Sequence, residues 1–289
     1  MPDAIEHILG STVQHGALNN RIYLIRLNPD ATAGVVSALD TMAEEKGYGK
    51  IIAKIPAHAW SSFGTAGYVR EAVIPGFFGG QTDALFVAKY FSSARQQVRE
   101  SESEDRCLKA IDTPLSPHRN TDGGPAGNLS SCTPGDAGEM STIYRRVFES
   151  YPFPIQEPEF LKKAMAGGAA YYGIRMGGRL VSLSAADMDR HHHTAEMTDF
   201  ATVAEYRGRG MAGRLLVHMD ENARRSGIRT AFSITRAGSP GMNRVFKKNG
   251  YRYAGFLTNN TQIRGRIESM MVWYKPFWWA SDDPASNRE

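Results

Sequence analysis

Residues 195–227 read AEMTDFATVAEYRGRGMAGRLLVHMDENARRSG, and this stretch decides the predicted fold. Residues 195–203 alternate as a β-strand does, residues 207–210 (RGRG) form a turn, and residues 211–225 have apolar side chains at helical spacing. The first N–H groups of a helix lack partners within the helix, and the helix dipole adds partial positive charge there. A strand, a glycine-rich turn and a helix in this order therefore predict a site for a phosphate or another anion.

Length and composition limit the class of protein. The chain has 289 residues, of which 42% are hydrophobic, so one or two domains with a sizeable core are expected. A net charge of +4 is only mildly basic and does not favour a nucleic-acid binder. We expect no membrane attachment, because no apolar run reaches the roughly 18 residues of a span and the N-terminus lacks the pattern of a secretory signal. Cys107 and Cys132 do not make a disulfide framework, which favours the reducing cytoplasm.

The composition also divides the chain into segments. Residues 92–128 are charged, rich in proline and glycine and poor in apolar periodicity, which predicts a linker between domains with some helix in it. The predicted parts are a first domain at residues 1–91, this linker, a second domain at residues 129–277 and a polar tail at residues 278–289.

The patterns within the two domains predict an α/β (α+β) protein. In the first domain we expect a weak helix before residue 20, and then strands and helices at residues 21–27, 33–46, 50–55, 56–66 and 84–90. In the second domain the predicted order is strand, two helices, three antiparallel strands, helix, strand, helix and two strands. Such an order predicts a mixed central sheet flanked by helices.

The turn residues resemble a known signature. Arg207-x-x-Gly210-x-Ala212 is similar to the acetyl-CoA signature, Arg/Gln-x-x-Gly-x-Gly/Ala, of the GNAT superfamily of N-acetyltransferases. Downstream, residues 243–251 (NRVFKKNGY) resemble the second cofactor helix of that family, and the element order of residues 130–274 resembles its fold. The resemblance implies a GNAT domain at residues 129–277 that moves an acetyl group from acetyl-CoA to an amine.

A closer resemblance covers nearly the whole chain. The sequences SxxQHG and NRIYLI near the start, GYVREAVIPGFF, YPFPI and AEMTDFAT are similar to those of the β-lysine N-acetyltransferases. That resemblance implies acetylation of the side-chain amine of β-lysine by direct attack on the thioester. The product would be Nε-acetyl-β-lysine, a compatible solute used in osmoadaptation, and lysine 2,3-aminomutase would supply the β-lysine.

The first domain repeats part of the second. Residues 36–90 and 215–274 share one order of helices, strands and turn glycines, although chance similarity of two α/β segments is an alternative. Residues 28–32 (NPDAT) stand where residues 207–211 would be, so the first copy lacks the glycine-rich turn and adds negative charge. We interpret it as a degenerate half of the GNAT fold without a cofactor site, which packs on the second domain or forms a homodimer interface.

The GNAT resemblance implies a set of residues that contact acetyl-CoA. The turn would hold the pyrophosphate through its N–H groups, and the end of the preceding strand would pair with the pantetheine arm and offer an N–H group to the thioester oxygen. The predicted cofactor-binding residues are Ala201, Thr202, Val203, Arg207, Gly208, Arg209, Gly210, Met211, Ala212, Asn243 and Phe246.

Catalysis requires a base, because an ε-amine has a pKa near 10.4. Glu196 and Asp199 are the predicted catalytic residues, one as the base and the other as the group that holds the second amine. Strand alternation places them on opposite faces unless a bulge intervenes. The alternative for either carboxylate is that it only binds substrate or pairs with an arginine.

One position departs from the family pattern. Many GNAT members carry a tyrosine where this chain has Phe246, and they use it to protonate the thiolate of coenzyme A. A phenylalanine cannot do this. Another hydroxyl, with Tyr251 and Tyr253 as candidates, water or the product ammonium would have to serve instead.

The substrate pocket is predicted from residues near the early helices and the signature strand. The candidates are Tyr151, Phe153, Tyr172 and Thr198, and core packing is the alternative for each aromatic side chain. No metal is expected, because adjacent residues of His191–His193 point to opposite faces and no cysteine or acidic cluster completes a site. Two rival functions remain open: acetylation of a polyamine, an antibiotic or a protein lysine, and a coenzyme A sensor without catalysis.

Overall fold

The computed structural model describes residues 3–99, 103–113, 127–149, 151–263 and 265–277. The strands in these ranges are β1 (Ala4–Ile8), β2 (Ser11–Gly16), β3 (Arg21–Arg26), β4 (Lys50–Pro56), β5 (Val69–Phe78), β6 (Thr82–Tyr90), β7 (Asn128–Ser131), β8 (Ala170–Met176), β9 (Arg179–Asp189), β10 (Thr194–Thr202), β11 (Thr230–Arg236), β12 (Arg252–Ile263) and β13 (Arg266–Pro276). The helices are α1 (Thr32–Lys46), α2 (Trp60–Thr65), α3 (Ser93–Gln96), α4 (Glu104–Asp112), α5 (Ala137–Val147), α6 (Pro158–Ala166), α7 (Met211–Arg225) and α8 (Pro240–Lys248). The predicted tail, residues 278–289, lies outside the described residues.

All of the described strands belong to one mixed sheet. Its order is β1-β2-β3-β4-β6-β5-β12-β13-β11-β10-β9-β8-β7, so the two predicted domains share a single sheet that is continuous between β5 and β12. The two halves meet where Ala72 pairs with Gly255. A side chain at Gly255 would collide with the backbone of Glu71 and Ala72, which explains the glycine there. The mixed sheet with flanking helices confirms the predicted fold class.

The first half repeats the topology of the second beyond the stretch recognised in the sequence. Strands β1 to β6 pair in the same order and directions as β8 to β13, including the parallel pairs β3/β4 and β10/β11. Helices α1 and α7 follow matching strands, and so do α2 and α8. The second half adds β7, α5 and α6, which have no counterpart among the described elements of the first.

Each half packs the end of its last hairpin on the other half. The turn between β5 and β6 contacts the second half at two points: Gly79 N–H donates to the His192 carbonyl in the β9–β10 turn at 2.9 Å, and Arg229, just before β11, donates to the Gly79 carbonyl at 2.9 Å. In the opposite direction, the Thr258 carbonyl of β12 accepts a hydrogen bond from Lys50 of the first half at 2.7 Å, and Lys50 also pairs with Glu71 of its own half at 2.8 Å. The halves therefore exchange contacts reciprocally.

The apolar faces explain the position of the main helices. Helix α7 buries Leu215, Leu216, Met219 and Ala223 against the sheet, as its spacing predicts. The left-handed Gly47 ends α1, with its N–H bonded to carbonyls of the last turn. Within the described ranges, every helix is too short or too polar to cross a membrane.

One prediction about the first half needs correction. The weak helix expected before residue 20 is wrong, because residues 4–16 form the β1–β2 hairpin with Leu9 and Gly10 in left-handed turn conformations. The described part of the linker also docks on the second half. Arg244 of α8 donates to the carbonyls of Ala110 and Thr113 at 2.7 Å, at the end of α4.

Candidate active site

A cleft of about 2370 Å³ lies between the two halves of the sheet. This exceeds the roughly 300–1,000 Å³ of a pocket for one small ligand, so it can hold an extended cofactor and a second substrate together. The second half supplies Glu196, Asp199 and the turn before α7, and the first half supplies Tyr23 and Lys54. The first half therefore forms one wall of the site.

The turn before α7 has the geometry of an anion site. Gly208 (φ 78°) and Gly210 (φ 72°) adopt left-handed conformations, and both have open space where a side chain would project. Among the described residues, no side chain caps the N-terminus of α7. Its first N–H groups are thus available to a phosphate, with Arg207 beside them on the cleft.

The parallel strands β10 and β11 separate in front of this turn. Their pairing covers Thr194 to Glu196 on β10 and ends there. Beyond it, the Ser233 hydroxyl donates to the Met197 carbonyl at 2.7 Å, and Val203 N–H donates to Val181 of β9 at 3.0 Å. Since neighbouring N–H groups of a strand point in opposite directions, Thr202 N–H faces the gap. The pantetheine arm is expected to pair with β10 in this gap.

A bulge in β10 brings the second predicted carboxylate to the cleft. The register with β9 shifts between Thr198 and Ala201, and Asp199 has a φ of 56°. Tyr151 donates its hydroxyl to Asp199 at 2.5 Å, and Thr198 donates at 3.2 Å. Burial raises the pKa of Asp199 to about 6, and these two hydrogen bonds oppose the shift.

Glu196 faces the same cleft without a hydrogen-bond partner among the described residues. Burial raises its pKa to about 7, the nearby ammonium of Lys54 opposes the shift, and the charges of Asp187 and Asp199 add to it. Asp187 is the direct cross-strand neighbour of Glu196 on β9. A carboxylate with this pKa can accept a proton near neutral pH.

Most of the predicted site residues line this cleft. They are Tyr151, Phe153, Glu196, Thr198, Asp199, Thr202, Arg207, Gly208, Gly210, Met211, Ala212 and Phe246. Ala201 and Val203 have buried side chains, so only their backbone is placed to serve a ligand. Arg209 is turned to the Glu205 carbonyl at 3.1 Å and lies over the ring of Tyr206.

Tyr172 and Asn243 lie elsewhere. Tyr172 packs against His218 of α7 on the opposite face of β8, and its neighbour Tyr171 lines the cleft instead. Asn243 is fully buried, accepts a hydrogen bond from Trp273 at 2.8 Å and donates to the Arg236 carbonyl at 2.9 Å. These bonds position the start of α8 and occupy the Asn243 amide within the fold. A direct contact between Asn243 and the cofactor therefore stays a prediction.

The structure also bears on the missing tyrosine. Phe246 packs edge to face against Phe200 and Tyr251. The Tyr251 hydroxyl donates to Asp220 at 2.7 Å, and the Tyr253 hydroxyl donates to Glu104 at 2.6 Å. Neither of these two tyrosines is part of the cleft, so the structure does not support them as proton donors to the thiolate.

Several cleft residues were missed by the sequence reasoning. Asp187, Tyr171, Tyr23 and Lys54 line the cleft, and the last two come from the half that was expected only to pack. Asp187 could have been found from the predicted hairpin, because it stands opposite Glu196. Lys54 could not, since its place depends on how the two halves meet. In the described part of the chain, no group of three His, Cys, Asp or Glu side chains is arranged to hold a metal ion.

This fold and site define an N-acetyltransferase, and comparison with known proteins agrees. The chain belongs to the acetyltransferase (GNAT) family, which matches residues 139–251. It is 34% identical over 274 residues to the β-lysine N(6)-acetyltransferase of Methanococcus maripaludis, covering 94% of this chain and 98% of that one. It is also 28% identical to N-acetyltransferase YodP of Bacillus subtilis, over 92% of this chain and 95% of that one. A β-lysine N(6)-acetyltransferase of Methanosarcina mazei is 28% identical over 83% of this chain and 95% of its own length.

Proposed function

We propose that the protein transfers the acetyl group of acetyl-CoA to the side-chain amine of β-lysine and forms Nε-acetyl-β-lysine. The observation that carries the proposal is the bulge in β10, which brings Asp199 to the same cleft as Glu196, next to the turn before α7. Two carboxylates suit a substrate with two amines. Two relatives that match most of this chain bear the name β-lysine N(6)-acetyltransferase, which favours this diamino acid.

The proposed cofactor contacts follow from the turn and the separated strands. The N–H groups at the start of α7 hold the pyrophosphate, Gly208 and Gly210 let it approach, and Arg207 adds positive charge. Residues Ala201 to Val203 offer their backbone to the pantetheine arm. Thr202 N–H, which faces the gap, is the proposed donor to the thioester oxygen.

The proposed chemistry assigns different work to the two carboxylates. Acetyl-CoA supplies the acetyl group as a thioester, which the neutral ε-amine attacks directly. Glu196, with a pKa of about 7 and no hydrogen-bond partner in the described residues, accepts the proton of the amine. Asp199 is fixed by Tyr151 and Thr198 and binds the second amine. Phe246 has no hydroxyl, so the thiolate takes its proton from water or from the cationic nitrogen of the tetrahedral intermediate, which leaves the neutral amide.

The biological setting is also a proposal. A β-lysine acetyltransferase depends on a reaction that moves the amino group of lysine, and we propose lysine 2,3-aminomutase for this step. The neutral product would serve as a compatible solute in osmoadaptation, and the enzyme would work in the cytoplasm. A homodimer is proposed only through surfaces outside the cleft, since the first half already faces the second within one chain.

Thiol release from acetyl-CoA tests the proposal. We expect turnover with β-lysine to exceed turnover with α-lysine and spermidine, and NMR of the product should place the acetyl group on the ε-nitrogen. A protein that acetylates only a polyamine or a protein lysine would contradict the substrate. Tight binding of coenzyme A without turnover on any amine would favour the sensor.

A further inference from the structure

The wall of the cleft that comes from the first half carries four basic side chains. They are Arg21, Arg26, Lys54 and His58. Arg21 donates to the Asn260 carbonyl at 2.7 Å and to the Thr261 hydroxyl at 3.0 Å, and the exposed Arg26 pairs with Asp189 at 3.6 Å. Lys54 is half-buried and makes no hydrogen bond or ion pair within the described residues. Its ammonium is therefore available to bind a ligand in the cleft.

The position of the Lys54 ammonium is fixed by two aromatic rings. It lies 5.0 Å from the ring centre of Phe77 on β5 and 5.5 Å from that of Phe232 on β11. Phe232 is the direct neighbour of Glu196 across the parallel pair. The two rings therefore hold the ammonium, which comes from the wall of the first half, near the predicted base Glu196 on the wall of the second half.

The charges that surround Lys54 are those of the amine site. Burial lowers its pKa, and the carboxylates of Glu196, Asp189 and Asp187 oppose that shift while Arg26 adds to it. A partly buried ammonium without a hydrogen-bonded anion is costly, and a bound anion offsets this cost. Among the described residues, the wall from the second half thus presents carboxylates, and the Lys54 ammonium of the first half faces them.

We propose that Lys54 binds the carboxylate of the substrate and so makes the enzyme select a diamino acid over a diamine or polyamine. The inference rests on the proposed function. A diamino acid carries two amines for Glu196 and Asp199 and one carboxylate for Lys54. A polyamine brings no anion, so it leaves the ammonium unpaired and places further positive charge beside it. On this view the first half, which has no coenzyme A site of its own, supplies the specificity for the acceptor.

The test compares two acceptors with one variant. Putrescine keeps two amines four carbons apart, as in β-lysine, but lacks the carboxymethyl group. At a pH above the acid limb, where Glu196 is ionised with or without the neighbouring ammonium, Lys54→Met should lower kcat/KM for β-lysine by about 100-fold, mainly through KM. For putrescine, kcat/KM should stay unchanged or rise by up to about threefold. Lys54→Arg should recover part of the preference, and Lys46→Met, on the exposed end of α1, should leave both substrates unchanged.

Other outcomes would overturn the inference. If Lys54→Met lowers kcat/KM equally for both acceptors and raises the pH at which activity appears, Lys54 acts only through the charge of Glu196. If neither acceptor is affected, Lys54 does not touch the substrate. An unchanged affinity for acetyl-CoA shows that each variant is folded. If the wild-type enzyme prefers α-lysine, only the assignment of β-lysine as the substrate is contradicted. The role of Lys54 is then tested with α-lysine and with cadaverine, which is α-lysine without its carboxylate. A wild-type enzyme that prefers diamines contradicts both proposals.

Discussion

Helices α1 and α7 begin at matching points of a repeated topology, yet their N-termini differ in chemistry. Before α7, Gly208 and Gly210 are open to the cleft and no side chain of the described residues caps the helix. Before α1, the side chain of Asn28 accepts a hydrogen bond from Asp30 N–H, and Pro29 removes another donor. One turn keeps its N–H groups for a ligand, and the other uses them within the fold.

The space in front of α1 is also filled. Asn28 donates to the Leu9 carbonyl at 2.9 Å, which ties the turn to the β1–β2 hairpin, and the Leu9 side chain approaches Gly34 of α1. Asp30 adds negative charge where a phosphate would have to lie. We therefore propose one coenzyme A site, at α7, among the described residues.

The strands that lead to these helices diverge in the same way. By the register of the parallel pairs, Tyr23 on β3 stands where Glu196 stands on β10, and both face the cleft. Each strand has an irregular register just beyond this point, between Leu24 and Arg26 on β3 and between Thr198 and Ala201 on β10. The repeated strand pairing is present in both halves, whereas the described acidic residues of the cleft lie in the second half and in α4. The first half contributes a wall of the cleft without an acid of its own.

The largest expected effect concerns the base. Glu196→Gln should lower kcat by about 1000-fold, because the amide cannot accept the proton of the amine. The wild-type enzyme needs the ionised carboxylate, so its activity should fall as the pH drops through about 7, and the variant should lose this acid limb. Steady-state pH profiles check both points. The affinity of Glu196→Gln for acetyl-CoA should equal that of the wild type. The control Glu221→Gln, on the exposed side of α7, should keep the kcat, the pH profile and the affinity of the wild type. If Glu196→Gln keeps the acid limb of the pH profile, another group causes that limb.

The next effect tests whether the two halves are one folding unit. Lys50→Met should lower the free energy of unfolding by about 3 kcal/mol, because it leaves the buried carboxylate of Glu71 without its ammonium. Calorimetry should show one cooperative transition at a lower temperature. Lys89→Met removes a more exposed pair with Asp40 and should cost less than about 1 kcal/mol. Two separate transitions would mean that the halves unfold independently.

The comparison of the two turns is tested by a matched pair of substitutions. Gly210→Val should weaken acetyl-CoA binding by about 100-fold, since a β-branched residue is strained at a φ of 72° and projects toward the phosphate site. The matching change in the first half, Ala31→Val, is made at a φ of −117° and should leave binding unchanged. Isothermal titration measures both variants. Equal losses would contradict the assignment of the site to α7.

The smallest expected effect concerns the segment that the second half adds between α5 and α6. Tyr151→Phe should raise KM for the amine by about 10-fold, because Asp199 loses a hydrogen bond that orients it and lowers its pKa. Initial rates at varied amine concentration measure this. Tyr144→Phe is the control, since its buried hydroxyl has no hydrogen-bond partner in the described residues. A similar rise in that control would make the effect one of packing.

The sequence predicted those parts of the site that are set by local spacing. The strand, turn and helix of residues 195–227 lie as expected. A bulge was predicted as the condition for Glu196 and Asp199 to share one face of the strand, and β10 has this bulge. The choice between Tyr171 and Tyr172 depends on which face of β8 meets the cleft, and a pattern of two adjacent tyrosines does not reveal this. The β1–β2 hairpin was missed because its polar residues lack a clear alternation.

The shared sheet and the role of the first half lay beyond the reach of local patterns. The junction at Ala72 and Gly255 joins strands far apart in the chain through a single paired position. Lys54 of β4 lines the cleft where the halves meet, with its ammonium over the rings of Phe77 from the first half and Phe232 from the second. Contacts of this kind depend on tertiary packing, which propensity and periodicity do not encode.

The division of labour between the halves is tested most directly by the stoichiometry of acetyl-CoA binding. Titration calorimetry on the full chain should give one site per chain, lost in Gly210→Val and kept in Ala31→Val. Two sites per chain, or one site that survives Gly210→Val, would contradict the account.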